Sequence, residues 1–181
     1  MKNRVYIKDL KDNVGKEVMI AGWVDVRRDQ GKMVFFDFRD MTGKVQCVVL
    51  PNHVEAIEQA KTIRPEWVLK VTGIVNKRPE KNINPEVMNG DVEMEVIGIE
   101  VLSRAHELPF DMSLTGYNLE LTTELDNRAL VLRHPKVQAV FKVQETIIDS
   151  FRNFMKQNNF FEFQAPAITP ATAEGGAEVF Q

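Results

Sequence analysis

Phe35, Asp37, Arg39, Gln46, Glu93 and Glu95 are the residues whose types and spacing point to surface chemistry in this 181-residue chain. Over residues 33–39, Val34, Phe36 and Phe38 alternate with Phe35, Asp37 and Arg39. Such alternation marks a strand with one face in a core, so the second set lies outside. The same counting turns Val45, Cys47 and Val49 inward and Lys44, Gln46 and Val48 outward. Over residues 91–102 it turns Val92, Met94 and Val96 inward and leaves Glu93 and Glu95 out. An outward aromatic ring beside guanidinium, amide and carboxylate groups suits an unstacked nucleobase. The ring stacks on the base and the polar groups meet its hydrogen-bonding edges. The alternative is that Phe35 packs beneath a loop or helix.

The elements that must position these residues follow from periodicity. Residues 17–27 predict a first strand, with Val18, Ile20, Val24 and Val26 alternating inward and Trp23 on the face opposite Val24. Asp29-Gln30-Gly31-Lys32 is a short polar loop. Met41-Thr42-Gly43-Lys44 turns the second strand into the third, residues 45–50, as in an antiparallel meander. Residues 52–62 predict a helix with Asn52 as N-cap and Val54, Ile57 and Ala60 at helical spacing. Pro65 stops it. Residues 67–75 and 91–102 are the fourth and fifth strands, joined by a long polar loop that carries Arg78 and Asn82. Five strands with a helix between the third and fourth make an OB-fold barrel, mainly β with α, whose second and third strands bind oligonucleotides.

Composition limits the partners. The net charge is −3, and residues 1–104 hold 17 Lys and Arg against 16 Asp and Glu. Nucleic acid bound there is held by local contacts and base readout rather than by wholesale counterion release. The single cysteine, Cys47, excludes a disulfide framework and a cysteine metal site, and fits a reducing cytoplasm. The N-terminus is polar, without a signal-peptide pattern. No apolar run approaches the roughly 20 residues a membrane helix needs.

Residues 105–130 read as a connector without sustained period. Pro135 opens a strong helix running to about residue 158, with Val137, Val140, Phe141, Gln144, Ile147, Ile148, Phe151, Phe154 and Met155 along one wide stripe. Residues 160–165 predict a strand. One helix and one strand cannot close a core, so the expectation is a piece of something longer.

Several blocks together resemble the aspartyl-tRNA synthetase family. These are GWVDVRRDQGKMVFFDFRD, TGKVQCVV, EKNINPEVMNGDVE, LDNRALVLRHP and FFEFQAPAITPATAEGGAEVF. That family belongs to the class II aminoacyl-tRNA synthetases, in a subgroup with the asparaginyl and lysyl enzymes. The resemblance implies residues 1–104 as an OB-fold anticodon-binding domain, 105–130 as a hinge, and 131–181 as the first piece of the catalytic domain. It implies that Phe35 stacks on the central uridine of the anticodon and that Arg28, Gln46, Arg78 and Asn82 bond around that loop. It further implies that Arg64 sits near the first anticodon base and that Glu93 reads the third. A carboxylate accepts from the cytosine amino group and has nothing to donate to uracil O4.

The helix and strand up to Pro166 resemble class II motif 1, which implies a homodimer interface including Val140, Phe141, Ile148 and Pro166. Asn159 stands where the family usually has glycine, and Ala165 where threonine usually precedes the proline. Glu174, in Glu174-Gly175-Gly176, resembles the rim of the amino-acid pocket in the archaeal and eukaryotic style, near the substrate ammonium. Motifs 2 and 3, with their ATP-clamping arginines and Mg²⁺ carboxylates, do not occur in these residues. The expectation is therefore that ATP and Mg²⁺ serve the intact enzyme, that no catalytic or metal-binding residue lies in this segment, and that the segment alone is inactive. The intact enzyme would be a cytoplasmic ligase with tRNA, aspartate and ATP as partners and neither DNA nor membrane. The alternatives are an asparaginyl or non-discriminating aspartyl enzyme, and a non-catalytic OB-fold RNA-binding protein.

Overall fold

A 14-residue strand, β1 (Glu17–Gln30), is long enough to serve two neighbours. Its first half pairs with β4 (Val68–Lys77) and its second half with β2 (Met33–Asp40). β3 (Gly43–Val49) follows β2 antiparallel and then pairs in parallel with β5 (Val92–Ser103), which returns to β4. The barrel is closed, in the order β1-β2-β3-β5-β4. The computed structural model describes residues 4–112 and 118–166. It divides into two compact units, Met1–Thr115 and Gly116–Gln181.

The inward residues of the three outlined strands fill the barrel. Phe36 and Phe38 are fully buried and meet edge to face with ring centres 6.0 Å apart, a favoured aromatic geometry. Ile20, Val24, Leu69, Val71, Met94 and Val96 join them. Ile7 and Leu10, from a 3-10 helix over Ile7–Asn13, and Ala56, Ile57 and Ala60 of α1 (Val54–Thr62) extend the same core. Gly73 lies at a register shift between β4 and β5, where a Cβ would fall 2.1 Å from the Glu95 carbonyl oxygen. Only glycine lets the two backbones come this close.

Three expectations need correction. Val26 does not continue the inward row. The β1–β2 register shifts between Val24 and Val26, so Val24 pairs with inward Phe38 while Val26 pairs with outward Asp37. One extra residue in a strand reverses every side chain beyond it. The N-cap of α1 is His53 rather than Asn52, and its side chain makes no capping bond, because the helix starts only at Val54. Residues 160–165 form no strand. Among the described residues no strand lies beside them, and an extended segment without a neighbour leaves its backbone groups to water.

In the second unit, α2 (Leu121–Asp126) and α3 (Arg128–Val131) precede α4 (Pro135–Gln157). Pro135 takes the first helical position, where its missing N–H costs nothing, and His134 Nδ1 accepts from the Lys136 N–H at 3.2 Å. The helix ends with Asn159 at φ 66°. The Phe160 N–H donates to the Met155 carbonyl at 3.0 Å and the Asn159 N–H to Lys156 at 3.1 Å, the paired bonds of a Schellman cap. Val140, Phe141, Ile147, Ile148, Phe151, Phe154 and Met155 are all exposed.

Candidate nucleic-acid interface

Two cross-strand rows build a groove on the outer face of the barrel. The first runs Arg28–Phe35–Val48–Glu95 over β1, β2, β3 and β5. The second runs Asp37–Gln46–Glu93–Asn76 over β2, β3, β5 and β4. Side chains paired across strands share a face, so each row is a line of neighbours. Val48 is buried although it points outward and floors the groove beside half-buried Phe35. The bulge in β1 brings Arg28 to this face; uninterrupted counting from Val24 would have turned it into the core. Beyond β4, the 3-10 turn Glu80–Asn82 carries Asn82 to the rim. The groove has a volume of about 590 Å³, and Arg28, Phe35, Gln46, Arg78, Asn82 and Glu93 all line it.

The charges in the groove are nearly balanced. Glu93 Oε2 accepts from Gln46 Nε2 at 3.4 Å and lies 3.6 Å from Arg78 Nε, an ion pair longer than a hydrogen bond. Glu95 engages both its oxygens, one with His53 Nε2 at 3.0 Å and one with Asn76 Nδ2 at 3.2 Å. Arg28 Nη2 donates to Asp37 Oδ1 at 3.0 Å. Polar groups fixed around an aromatic floor suit reading of a base edge. Farther along the face, Arg39 lies over the Trp23 ring and pairs with Asp25 and Glu66, while Lys44 also pairs with Asp25. That network engages its own charges and bounds the groove. On the inner side, burial pushes the Cys47 thiol well above its ordinary pKa, and the Asp37 carboxylate adds to the effect. Cys47 therefore fills core rather than acting as a nucleophile.

Arg64 does not line this groove. It follows α1, where its Nη1 donates to the carbonyls of Ile63 at 3.0 Å and Thr62 at 3.2 Å. It faces a separate cavity of about 650 Å³ with Asp25, Arg27 and His106. Val140, Phe141 and Ile148 lie on the exposed face of α4, and Pro166 is exposed at the end of the described residues. Glu174 lies outside them. Glu95 lines the groove as well, and so do Asn76, Gln30 and Met33, to which the sequence pattern gives no such place. Alternation alone turns Glu95 outward, whereas Asn76 lies beyond the predicted fourth strand and reaches the face only because β4 extends to Lys77. Among the described residues no group of three or more His, Cys, Asp or Glu could hold a metal ion, and no helix is long and apolar enough to cross a membrane.

Comparison with known proteins agrees with this geometry. Residues 18–102 match the family of OB-fold nucleic acid binding domains, and residues 120–181 match the class II tRNA synthetases (D, K and N). The chain therefore carries an OB-fold nucleic acid binding domain ahead of part of a class II tRNA synthetase domain. It is 35% identical over 181 residues to an aspartate–tRNA(Asp/Asn) ligase of Prochlorococcus marinus, a match that covers 98% of this chain and 30% of that ligase. Among solved structures it resembles asparaginyl-tRNA synthetase from Pyrococcus horikoshii complexed with asparaginyl-adenylate. There the TM-score is 0.78 at 32% identity, covering 97% of this chain and 39% of that one. It also resembles the aspartyl-tRNA synthetase of Entamoeba histolytica, with a TM-score of 0.77 at 27% identity, covering 92% and 40%. The chain thus spans about a third of the length of such relatives.

Proposed function

We propose that this chain is the anticodon-reading portion of an aspartate–tRNA ligase, an enzyme that activates aspartate with ATP and transfers it to tRNA in the cytoplasm. The observation that carries the reading is the groove itself. A half-buried aromatic, an amide, a carboxylate and two guanidinium groups, brought from four strands and one loop, converge on a space of about 590 Å³. Phe35 supplies a stacking surface for the central base, a contact of the kind worth about 1–3 kcal/mol. Gln46 turns its Nε2 toward Glu93, which leaves Oε1 to accept from the N3–H of uracil. Glu93, an acceptor only, takes the amino group of cytosine at the third position. Arg28, Arg78 and Asn82 serve the surrounding backbone and base edges, and Arg64 approaches the first base. Glu174 belongs to the amino-acid pocket of the intact enzyme.

The OB-fold domain of residues 1–104 and the synthetase piece of 131–181 are joined by a hinge at 105–130. The exposed apolar face of α4, with Val140, Phe141 and Ile148, together with Pro166, forms a homodimer contact. ATP and Mg²⁺ serve the intact enzyme. Relatives named for aspartate, for asparagine and for both tRNAs favour one further reading, an enzyme that charges tRNA for both amino acids.

An RNA hairpin carrying 4-thiouridine at the central anticodon position tests the placement. Crosslinks within Met33–Asp40 or Gly43–Val49 are expected. Crosslinks confined to the second unit would overturn it.

A further inference from the structure

Arg28 and Asp37 make a pair whose sign is odd for a surface that binds a polyanion. A carboxylate on such a face repels phosphate, yet Asp37 begins the second row, directly opposite Gln46. Its neighbour along the outer face is Arg28, which the bulge after Val24 has turned outward. Arg28 Nη2 lies 3.0 Å from Asp37 Oδ1, and the two side chains are 46% and 22% exposed. The guanidinium is thus open to solvent while its anchor is largely covered. An exposed pair of this kind contributes little to folding. Its effect on binding is different in kind, because an arginine already held in one orientation loses less side-chain freedom when a ligand arrives.

We propose that Asp37 is a positioning residue for RNA: it fixes the Arg28 guanidinium at the lip of the groove and does not itself touch the ligand. This rests on the anticodon reading given above. The two oxygens of the carboxylate and the five N–H donors of the guanidinium leave Arg28 free to offer its remaining donors to a phosphate or a base edge while staying anchored.

The test uses the whole 181-residue chain and a hairpin RNA with a GUC anticodon loop at fixed salt. Asp37→Ala should weaken binding about three- to tenfold, the cost of ordering one long side chain, although it removes a negative charge from the face. In an Arg28→Ala background the same substitution should do nothing or tighten binding, because only its repulsion is then left. Asp37→Asn keeps the size of the side chain and one acceptor, so it should fall between wild type and Asp37→Ala. It also covers the case in which the alanine variant unfolds. Tighter binding by Asp37→Ala in the wild-type background, or equal weakening with and without Arg28, would overturn the proposal. Phe35→Ala separates the two levels. If it weakens binding while Asp37→Ala does not, only this inference fails; if neither weakens binding, the anticodon reading falls with it.

Discussion

Gln46 and Glu93 stand directly opposite one another across the parallel pairing of β3 and β5, with Gln46 Nε2 3.4 Å from Glu93 Oε2. The carboxylate orients the amide, and the same Oε2 lies 3.6 Å from Arg78 Nε. The two side chains fix each other, so a change in one is felt by both.

Glu93→Gln gives the clearest change of preference. A glutamine amide can donate to uracil O4, which a carboxylate cannot do. Relative affinity should move from hairpins with GUC toward those with GUU by about 1–3 kcal/mol. Parallel titrations of both hairpins with wild type and variant measure it. An unchanged ratio would remove Glu93 from base reading.

Asn89 is expected to matter for stability rather than binding. It is buried at φ 57°, and its Nδ2 donates to the carbonyls of Ile7 and Lys44, both at 3.2 Å. It pins the β4–β5 loop to the lead-in helix and to β3. Asn89→Ala removes both donations and places a residue without a polar side chain in the left-handed region. Urea unfolding should show a loss of about 2 kcal/mol, more than an exposed substitution such as Lys81→Ala.

Most of the barrel was legible from alternation, because residues such as Val34, Phe36, Phe38, Val45, Cys47 and Val49 have one wet and one dry face and no other register buries them. The outward face with Phe35, Gln46 and Glu93 follows from the same count. Arg28 was not legible this way. A bulge leaves no mark in the hydrophobic pattern when the residues beyond it, Arg27-Arg28-Asp29, are polar on both faces. The strand at 160–165 failed for the opposite reason. Its pattern is locally strand-like, but a strand exists only beside another, and sequence spacing does not supply the neighbour.

Acid should erase one surface contribution. Lys11 Nζ lies 2.7 Å from Asp91 Oδ1, and this hydrogen bond foremost holds the Asp91 carboxyl below its ordinary pKa. A folded-state pKa below the unfolded one means stability present above the unfolded value and lost as pH falls through the folded one. Asp91→Asn should therefore be slightly less stable than wild type at pH 7, and the gap should close below about pH 4. A constant gap from pH 7 to pH 3 would contradict the pairing.

The apolar face of α4 predicts self-association. Phe151 is 69% exposed and Val140 63%, a stripe too large to leave wet in a stable species. Sedimentation of the 181-residue chain should show association that depends on concentration, and Ile148→Glu should shift it toward monomer. A wild-type chain that stays monomeric at high concentration would speak against a dimer contact on this face.

The most direct measurement is the affinity of the 181-residue chain for three hairpins differing only in the anticodon, GUC, GUU and GCC, at one salt concentration. GUC should bind tightest, GUU more weakly through the third-base reading of Glu93, and GCC most weakly through loss of the uracil read by Gln46 over Phe35. Equal binding to GUC and GUU with GCC still weak would keep the groove and point to an enzyme serving both tRNAs. Equal binding to all three would contradict the central claim that this groove reads an anticodon.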